Sequence, residues 1–521
     1  MPRNLAPRVA RAWIGLVSAS LVVAVSAVPA AAAPSTANPP SRIASVAPAA
    51  RTKAVQWYYD QEVEWEDCTE PSLECATIKA PLKWAKPGGR KISIAIARDK
   101  AAKQPAPAGA ILVNPGGPGA SGIDSLTVLS SMFGAKVKAR YDIVAFDPRG
   151  VGASSAVRCT AKTSQMHKHL AEWFPNTHDG RVAAKKAARS WGNQCRKLTG
   201  PLLGQVDTAS AARDMDVIRA VLGQSALTYV GWSYGSKLGS VYAELFPARV
   251  GRLVLDGAIN PAADAGAAAA AQLKGFESSL GAWAADCVAQ GACAVGAAAP
   301  EVLTAVHDLI QRCATSPLPT GTKGRQLTAA LAFTGVLLSL YDDTYWPLLT
   351  LGVSNAIHGN DGSVLLMLAD AYNSFDGQKY ANNMLTANQA INCLDYPSAD
   401  ATQAQAQAAI DAAIAEAPVL GEFWMGNGIS QCAHWPYPST TTPRAVKSAT
   451  KAPILVIGTT GDPATPYTNA IELTKQLRTA TLLTFQGEGH TAYGRGNTCV
   501  NAVVDRYLLT GKVPREGRVC R

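Results

Sequence analysis

Short apolar runs separated by helical patterns constrain the fold of this 521-residue chain more than any other feature. These runs are bounded by turn residues and span residues 92–97, 110–113, 142–146, 227–230, 252–255, 453–457 and 481–485. Most are continuously apolar, which is typical of strands buried on both faces. Helical patterns lie between them, for example over residues 210–222. The alternation predicts an α/β fold with a mostly parallel sheet covered by helices.

The strand–helix alternation stops near residue 258 and resumes near residue 451. The segment between is rich in alanine and has helical patterns, for example over residues 401–415. Parallel sheets place their sites at the carboxyl ends of the strands, so an insertion between two strands is expected to cover the site as a lid. A separate helical domain without a role in binding is the alternative.

The first 32 residues have the pattern of an export signal. Arg3, Arg8 and Arg11 precede an uncharged apolar stretch over 13–28, and small residues follow at 29–33. A membrane-spanning helix needs about 20 apolar residues, and this stretch is shorter and ends in a cleavage-like site. The sequence therefore predicts a secreted protein without membrane contact after signal cleavage.

These breaks predict five segments along the chain. They are a signal peptide, a linker or pro-segment, the first part of the α/β core, a helical lid and the second part of the core. Their bounds are 1–32, 33–50, 51–257, 258–450 and 451–521, respectively.

Eleven cysteines, none in the signal segment, agree with an oxidising compartment. Proximity pairs Cys68 with Cys75, Cys159 with Cys195, Cys393 with Cys432, and Cys499 with Cys520, and it favours Cys287 with Cys293 over pairs with Cys313. Spacing alone does not prove connectivity, and the odd count leaves one thiol over. Since no Cys-x-x-Cys pattern occurs, zinc and redox sites are weakly supported, and we predict no metal and no organic cofactor.

The formal net charge of +10 raises the question of nucleic-acid binding. Lysine and arginine are scattered along the chain, however, and their densest patch, at 185–189, is short. A solvated basic surface is therefore favoured, and we predict no nucleic-acid partner.

The sequence GWSYG at residues 231–235 is a G-x-S-x-G motif between a predicted strand and a predicted helix. A very tight strand-to-helix turn lifts the serine hydroxyl clear of the sheet, and glycines flank it because side chains there would clash. In a chain with 44 glycines the pentapeptide could arise by chance. Its strand–turn–helix context makes Ser233 the candidate nucleophile.

A glycine-rich segment, NPGGPG at 114–119, directly follows the predicted strand over 110–113. Glycines allow a backbone N–H to point into a site and bind the oxyanion of an acyl-transfer intermediate, and the N–H of Tyr234 would be a second donor. A phosphate cradle is disfavoured because the Lys-Ser/Thr pair of a P-loop and the full G-x-G-x-x-G are missing. A plain tight turn stays an alternative.

A catalytic serine needs a base and an orienting carboxylate. His490 lies just past the last predicted strand, at the carboxyl end of the strands, where Ser233 also lies. Asp462 follows the strand before it and is the favoured carboxylate. Asp256, which follows the strand over 252–255, is the serious rival. Asp147 is better interpreted as fixing its own turn.

The order Ser…Asp…His is that of α/β-hydrolases. Together with DPRGVG at 147–152, GDP at 461–463 and GH at 489–490, it makes the chain resemble the secreted tripeptidyl aminopeptidases of actinobacteria, which belong with the proline iminopeptidase group of α/β-hydrolases. The resemblance runs from about residue 57 to the C-terminus and includes AINCLD at 390–395 in the lid. Cys313, a third lid cysteine without a predicted partner, departs from the family pattern.

The resemblance implies an α/β-hydrolase fold with a large helical lid and a catalytic triad of Ser233, Asp462 and His490. It places the oxyanion positions at Gly117 and Tyr234. It further implies a peptidase that cleaves short peptides, chiefly tripeptides, from the free N-termini of peptides and proteins. The residues by themselves indicate a secreted serine hydrolase, so a secreted esterase or lipase-like acyl hydrolase is the alternative. A non-catalytic binding protein on a hydrolase scaffold is disfavoured because the triad is complete.

An exopeptidase that releases peptides of fixed length has to hold the free amine of its substrate. A lid carboxylate at a fixed distance from the nucleophile would bind that ammonium group. Asp395 is the first candidate, because the Cys393–Cys432 bridge would hold it rigidly, and Glu422 is the second. Asp342 and Asp343 are weaker candidates. A solvated surface carboxylate is the alternative for each of them.

Overall fold

The computed structural model describes residues 52–105, 108–174, 177–291, 293–425, 431–439 and 441–521. The predicted signal peptide over 1–32 and the predicted linker over 33–50 lie outside the described residues. Among the helices of the described ranges, none has the length and apolar character that crossing a membrane requires.

A mostly parallel ten-stranded sheet, counted over the described residues, has the order β1-β2-β3-β5-β4-β6-β7-β8-β9-β10. The strands are β1 (Glu66–Asp67), β2 (Glu74–Pro81), β3 (Lys91–Asp99), β4 (Ala110–Asn114), β5 (Asp142–Phe146), β6 (Leu227–Trp232), β7 (Val250–Asp256), β8 (Ile454–Gly461), β9 (Ala480–Glu488) and β10 (Val519–Cys520). Strand β3 is antiparallel to both neighbours, β1 is antiparallel to β2, and the pairings from β5 through β10 are parallel. The architecture is that of an α/β-hydrolase, so the predicted fold class is confirmed.

Helices connect the strands and cover both faces of the sheet. They are α1 (Lys53–Tyr59), α2 (Gly122–Ser131), α3 (Ala135–Lys138), α4 (Thr163–Ala171), α5 (His178–Thr199), α6 (Thr208–Val221), α7 (Tyr234–Leu245), α8 (Ala265–Ala289), α9 (Ala299–Thr315), α10 (Ala329–Leu340), α11 (Trp346–His358), α12 (Ser363–Tyr372), α13 (Met384–Asp395), α14 (Gln403–Glu416), α15 (Gly421–Met425), α16 (Tyr467–Gln476) and α17 (Thr498–Thr510). Short 3-10 turns lie at Gly200–Gly204, Pro247–Arg249, Asp343–Tyr345 and Gln431–His434. Helices α8 to α15 follow β7 and precede β8.

The central strands are buried on both faces, which explains their continuous apolar runs. Successive strand residues point to opposite sides of a sheet. In β4, Leu112 lies in the apolar cluster on one side, whereas Ile111 and Val113 lie in the cluster on the other. Strand β2, which the apolar runs did not predict, alternates between buried and exposed residues along Ala76 to Ala80 because it lies near the sheet edge.

Most of the inserted helices have an apolar core of their own. Phe276 and Trp283 of α8 pack there with residues of α9 to α12 and α15. Helix α13 differs, because its Ala387, Ala390 and Ile391 belong to the cluster that lies against the sheet. The insertion therefore contains one helix that is packed as part of the sheet's own core.

Five disulfides tie the fold together: Cys68–Cys75, Cys159–Cys195, Cys287–Cys293, Cys393–Cys432 and Cys499–Cys520. They are the five predicted pairs, which are thereby confirmed. Cys313 is a free, buried cysteine of α9, as the odd count requires.

Candidate active site

Ser233 lies at the turn between β6 and α7, in a backbone conformation that non-glycine residues rarely adopt. Its φ is +55° and its ψ is −122°. The flanking glycines make this turn possible. A Cβ on Gly231 would lie 2.4 Å from the backbone oxygen of Gly235, and one on Gly235 would lie 2.7 Å from that of Asn114. The turn therefore needs glycine at both positions, as expected for a strained turn that presents a nucleophile.

The glycine-rich loop after β4 lies directly against this turn. Gly116 and Gly117 both have a φ of +104°. A Cβ on Gly116 would lie 2.9 Å from the Ser233 Cβ and 3.1 Å from the Tyr234 backbone nitrogen. Tyr234 is the first residue of α7, and an N–H in the first turn of a helix has no partner within the helix. The structure thus brings the loop that contains Gly117 to the N–H of Tyr234, beside Ser233.

Asp462 and His490 form a buried, hydrogen-bonded pair at the ends of the adjacent strands β8 and β9. The His490 Nδ1 lies 2.9 Å from Oδ1 and 3.0 Å from Oδ2 of Asp462. Both side chains are buried. The Asp462 carboxylate also accepts hydrogen bonds from the backbone N–H groups of Ala464, Thr465 and Thr491, at 3.0, 2.8 and 3.1 Å. These donors fix the carboxylate in the position that orients the imidazole.

Thr465 is a site residue that the sequence interpretation missed. Its hydroxyl donates to Asp462 Oδ2 at 2.9 Å and lies 3.2 Å from His490 Nδ1. An aspartate whose side chain accepts from backbone N–H groups two and three residues later forms a recognisable turn. The sequence GDPAT therefore contained a signal for this arrangement.

Ser233 and His490 flank one short segment, Asp256 and Gly257, at the end of β7. The backbone oxygen of Asp256 accepts a hydrogen bond from the Ser233 N–H at 2.8 Å. The next residue, Gly257, has a φ of +61°, and a Cβ there would lie 3.2 Å from His490 Cε1. Ser233 and His490 are thereby held on either side of the same two residues.

Asp256, the rival acid, has a different set of partners. Its buried carboxylate accepts hydrogen bonds from the N–H groups of Ala492, at 3.1 and 3.0 Å, and Tyr493, at 2.8 Å. Burial raises the pKa of Asp256 to about 6, and these two donors oppose the rise. Asp256 thus holds the loop after His490, while Asp462 contacts the imidazole.

Asp147 fixes its own turn, in agreement with the sequence interpretation. Its buried carboxylate accepts hydrogen bonds from the Ser121 hydroxyl at 2.7 Å and the Ala153 N–H at 2.8 Å. Burial raises the pKa of Asp147 to about 6. These contacts bind the start of α2 to the loop after β5.

Asp395, the first candidate for the substrate amine, is engaged inside the protein. It is buried, lies 3.0 Å from the Lys237 Nζ, and accepts hydrogen bonds from the N–H of Thr208, at 2.9 Å, and from the Thr208 hydroxyl. Because its charge is compensated by Lys237 and both oxygens have partners, it does not offer a free carboxylate to a substrate. The structure therefore corrects this expectation.

Glu422, the second candidate, lies on α15 and faces α9. It accepts a hydrogen bond from the Gln311 side chain at 2.6 Å and lies 3.7 Å from the His307 Nε2. These contacts are within the insertion, and the side chain is 40% exposed. Glu422 therefore keeps a solvent-accessible charge, which makes it a weaker binding group than a buried one.

The carboxylates that the sequence ranked last lie beside the histidine loop. The backbone oxygen of Tyr341, at the end of α10, accepts the His490 N–H at 2.8 Å, and the two rings pack edge to face at 5.4 Å. Asp342 and Asp343 follow, 3.1 and 3.5 Å from the guanidinium of Arg495. Burial raises the pKa of Asp343, and the neighbouring Asp342 raises it further.

Within the described ranges, no group of three or more His, Cys, Asp or Glu side chains is placed to hold a metal ion.

The chain is similar in sequence to several known proteins. Residues 417–520 match the family described as TAP-like protein. Over 482 residues, the chain is 34% identical to serine protease Hip1 of Mycobacterium tuberculosis, which covers 88% of this chain and 91% of that protein. It is 34% identical over 473 residues to carboxylesterase B of the same species, covering 88% and 89% of the two chains. It is 31% identical over 476 residues to tripeptidyl aminopeptidase of Streptomyces lividans, covering 88% and 86%.

The chain belongs to the tripeptidyl aminopeptidase-like family of α/β-hydrolases. The resemblance drawn from its motifs is therefore confirmed, as is its membership of the serine hydrolases. It is an enzyme, a serine peptidase on an α/β-hydrolase scaffold.

Proposed function

We propose that this protein is a secreted serine exopeptidase that releases short peptides, chiefly tripeptides, from free N-termini of peptides and proteins. The observation that carries the proposal is the buried His490–Asp462 pair, 2.9 Å apart, at the same sheet edge as the strained turn of Ser233. The similarity to the Streptomyces tripeptidyl aminopeptidase supports the substrate class.

In this mechanism the Ser233 hydroxyl attacks the carbonyl carbon of the scissile bond while the Nε2 of His490 takes its proton. Asp462 holds the Nδ1–H of the imidazole and stabilises the imidazolium that forms. The N–H groups of Gly117 and Tyr234 bind the negative oxygen of the tetrahedral intermediate. The C–N bond then breaks, and His490 protonates the leaving amine.

After the leaving amine departs, the N-terminal tripeptide remains bound to the enzyme as an ester of Ser233. A water molecule, deprotonated by His490, attacks the ester carbonyl, and the same two N–H groups bind the second oxyanion. Collapse of this intermediate frees the peptide acid and returns the proton to Ser233. Replacement of either Ser233 or His490 by alanine should therefore remove nearly all activity.

The charge around the histidine loop supports recognition of a free amine. Asp342, Asp343 and Glu488 lie there with Arg495. Burial raises the pKa of Glu488, and the negative charge of Asp343 raises it further. An ammonium group would relieve this repulsion. Asp343 is 51% exposed and Glu422 is 40% exposed, so exposure does not separate them. We propose Asp343 and Glu488 for the amine because they lie beside the histidine loop, whereas the contacts of Glu422 lie within the insertion.

Secretion is supported by the export-like pattern of residues 1–32 and by the five disulfides. Structural disulfides persist in oxidising compartments and are rare in reducing ones. Expression with residues 1–32 in an actinobacterial host, followed by N-terminal sequencing of the protein in the medium, tests export and defines the mature N-terminus. Retention of the intact chain in the cells would contradict secretion.

Three substrates measured side by side test the activity: a tripeptidyl p-nitroanilide with a free amine, its N-acetylated twin, and p-nitrophenyl butyrate. We expect fast release from the free-amine peptide and little from the acetylated one, with Ser233→Ala as the inactive control. Asp343→Asn should raise the KM of the free-amine peptide and spare the ester. Rapid cleavage of the acetylated peptide would contradict recognition of the amine.

An acyl hydrolase of small esters is the second candidate, because a relative that is 34% identical to this chain carries the name carboxylesterase B. The same triad and oxyanion donors would serve an ester. Fast hydrolysis of the butyrate together with inertness toward both peptides would favour this function. Failure of Ser233 to react with a fluorophosphonate would instead indicate a binding protein without catalysis.

A further inference from the structure

One helix of the insertion, α13, is packed differently from the others. Ala387, Ala390 and Ile391 of α13 lie in the same apolar cluster as Leu238 and Tyr242 of α7, the helix that begins beside the nucleophile. The larger inserted helices pack around a separate core. Helix α13 therefore packs in the same core as the helix that follows Ser233, although in sequence it belongs to the insertion.

The N-terminal half of α13 lies against the glycine-rich loop that contains the first oxyanion position. A Cβ on Gly119 would lie 2.6 Å from the backbone oxygen of Met384 and 2.8 Å from the backbone nitrogen of Asn388. The side-chain amide of Asn388 donates a hydrogen bond to the backbone oxygen of Pro118 at 3.0 Å. The Pro118 oxygen belongs to the 118–119 peptide unit, two peptide units after the one that carries the Gly117 N–H, so this bond holds the loop just beyond the predicted donor.

The orientation of the Asn388 amide is itself fixed. The side-chain nitrogen of Asn392, one turn further along α13, donates to the Asn388 Oδ1 at 3.0 Å. With its oxygen occupied in this way, Asn388 presents its NH₂ group to the loop.

The C-terminal end of α13 is linked to the second oxyanion position. The hydroxyl of Tyr234 lies 2.6 Å from the Thr208 hydroxyl, which bonds to Asp395 at the end of α13. Asp395 also forms the buried ion pair with Lys237, one turn after Tyr234 in α7. The Cys393–Cys432 disulfide restrains the same end of the helix.

We infer that α13 is a fixed brace of the oxyanion hole, in which Asn388 and the Tyr234 hydroxyl are positioning groups for the two backbone donors. The inference builds on the catalytic roles proposed above for Gly117 and Tyr234. The two donors come from separate segments, the loop after β4 and the first turn of α7. An oxyanion is stabilised when both lie about 2.7–3.1 Å from it, and one helix that contacts both segments sets their spacing.

Two substitutions each remove one contact of the brace and leave both backbone donors in place. Asn388→Ala removes the bond to Pro118, and Tyr234→Phe removes the hydroxyl that links Tyr234 to Thr208. Gln389→Ala is the matched control. Gln389 lies on the same helix, and its side chain accepts a hydrogen bond from the Trp191 indole of α5 at 2.9 Å.

The enzyme is measured with a tripeptidyl p-nitroanilide and with p-nitrophenyl acetate, and the Ki of a tripeptidyl trifluoromethyl ketone is determined. The ketone adds the serine oxygen and thereby forms an oxyanion that resembles the reaction intermediate. Loss of a whole oxyanion donor costs about 10²–10³-fold in kcat. For displaced donors we expect kcat on both substrates to fall by about tenfold or more at nearly constant KM.

The ketone separates positioning from a general loss of stability. In Asn388→Ala and Tyr234→Phe its Ki should rise by the same factor as kcat/KM falls, because both report binding of the oxyanion. Gln389→Ala should lower the melting temperature without either kinetic change. The brace is overturned if the two variants keep the wild-type kcat and Ki, or if the control loses as much as they do.

The p-nitrophenyl acetate measurement distinguishes failure of the brace inference from failure of the proposed function. Wild-type enzyme that cleaves the acetate but not the peptide would contradict the peptidase and leave the brace testable on the ester. Wild-type protein that cleaves neither would overturn the catalytic roles and the brace together.

Discussion

Replacement of Asp462 by asparagine tests the assignment of the orienting acid. In the wild type, Asp462 Oδ1 accepts the N–H groups of Ala464 and Thr465, and Oδ2 accepts the N–H of Thr491 and the Thr465 hydroxyl. His490 Nδ1 contacts both oxygens. Two backbone donors on the Oδ1 side should select the amide oxygen for that position, so the NH₂ group of asparagine should occupy the Oδ2 position.

The NH₂ group would then donate to the His490 Nδ1, and the imidazole proton would move to Nε2. His490 in this tautomer cannot take the proton of Ser233. The corresponding change in another serine protease lowers kcat by about 10⁴-fold, which equals about 5.4 kcal/mol at 1.36 kcal/mol per factor of ten. The loss of stability should be smaller, about 1–3 kcal/mol, because one backbone N–H is left without an acceptor.

The assay compares kcat/KM on the free-amine tripeptidyl substrate with the melting temperature of the same preparation. Asp256→Asn is the matched control, because that carboxylate is also buried and also accepts backbone N–H groups, those of Ala492 and Tyr493. It should destabilise the protein to a similar degree with a much smaller loss of kcat. A larger loss of kcat in Asp256→Asn than in Asp462→Asn would refute the assignment.

Three further measurements test other parts of the structure. Replacing Cys499 and Cys520 by serine should destabilise the protein by about 3 kcal/mol in the chain-entropy model, since the bond closes a loop with a sequence separation of 21; two free thiols in a non-reducing peptide map of the wild type would contradict the bond. Gly116→Ala should abolish activity, because the new Cβ would lie 2.6 Å from the backbone oxygen of Trp232 and the residue has a φ of +104°. Gly223→Ala is the control: its φ is +69° and the space around it is open, so the variant should lose about 1 kcal/mol of stability and keep its activity. Full activity in the Gly116 variant would show that the loop is not tight against the nucleophile. Burial raises the pKa of Asp147 to about 6 from 3.8, so the native state binds more protons than the unfolded chain between these pH values, and the contribution of this group to stability increases as the pH falls through that window. The melting temperature of the wild type should thus rise relative to that of Asp147→Asn between pH 7 and pH 4, and a constant difference would argue against the raised pKa.

Features set by neighbours in the chain were predicted from the sequence alone. The apolar runs identified the central strands, because a strand buried on both faces has to be apolar at successive positions. The GWSYG turn could be recognised because its strain and its glycines lie within five residues. The five disulfides join cysteines with sequence separations of 6 to 39, so pairing by proximity was sufficient.

Tertiary structure decided the roles of residues that share the same local pattern. Asp256 and Asp462 each follow a buried strand, and the sequence favoured one without excluding the other. Their positions differ because Asp462 is turned to the imidazole by donors from its own loop, while Asp256 is taken up by the N–H groups of Ala492 and Tyr493.

In the insertion, too, local sequence patterns did not determine which distant residues a side chain contacts. Asp395 was predicted to face a substrate, yet its partner Lys237 lies 158 residues away in the chain. The segment AINCLD at 390–395 marked part of α13 by family resemblance, but no apolar periodicity predicted that this helix packs in the core of the sheet while the larger inserted helices pack around a separate core. Helical periodicity determines which face of a helix is apolar, but the surface that buries that face is chosen by contacts between distant parts of the chain.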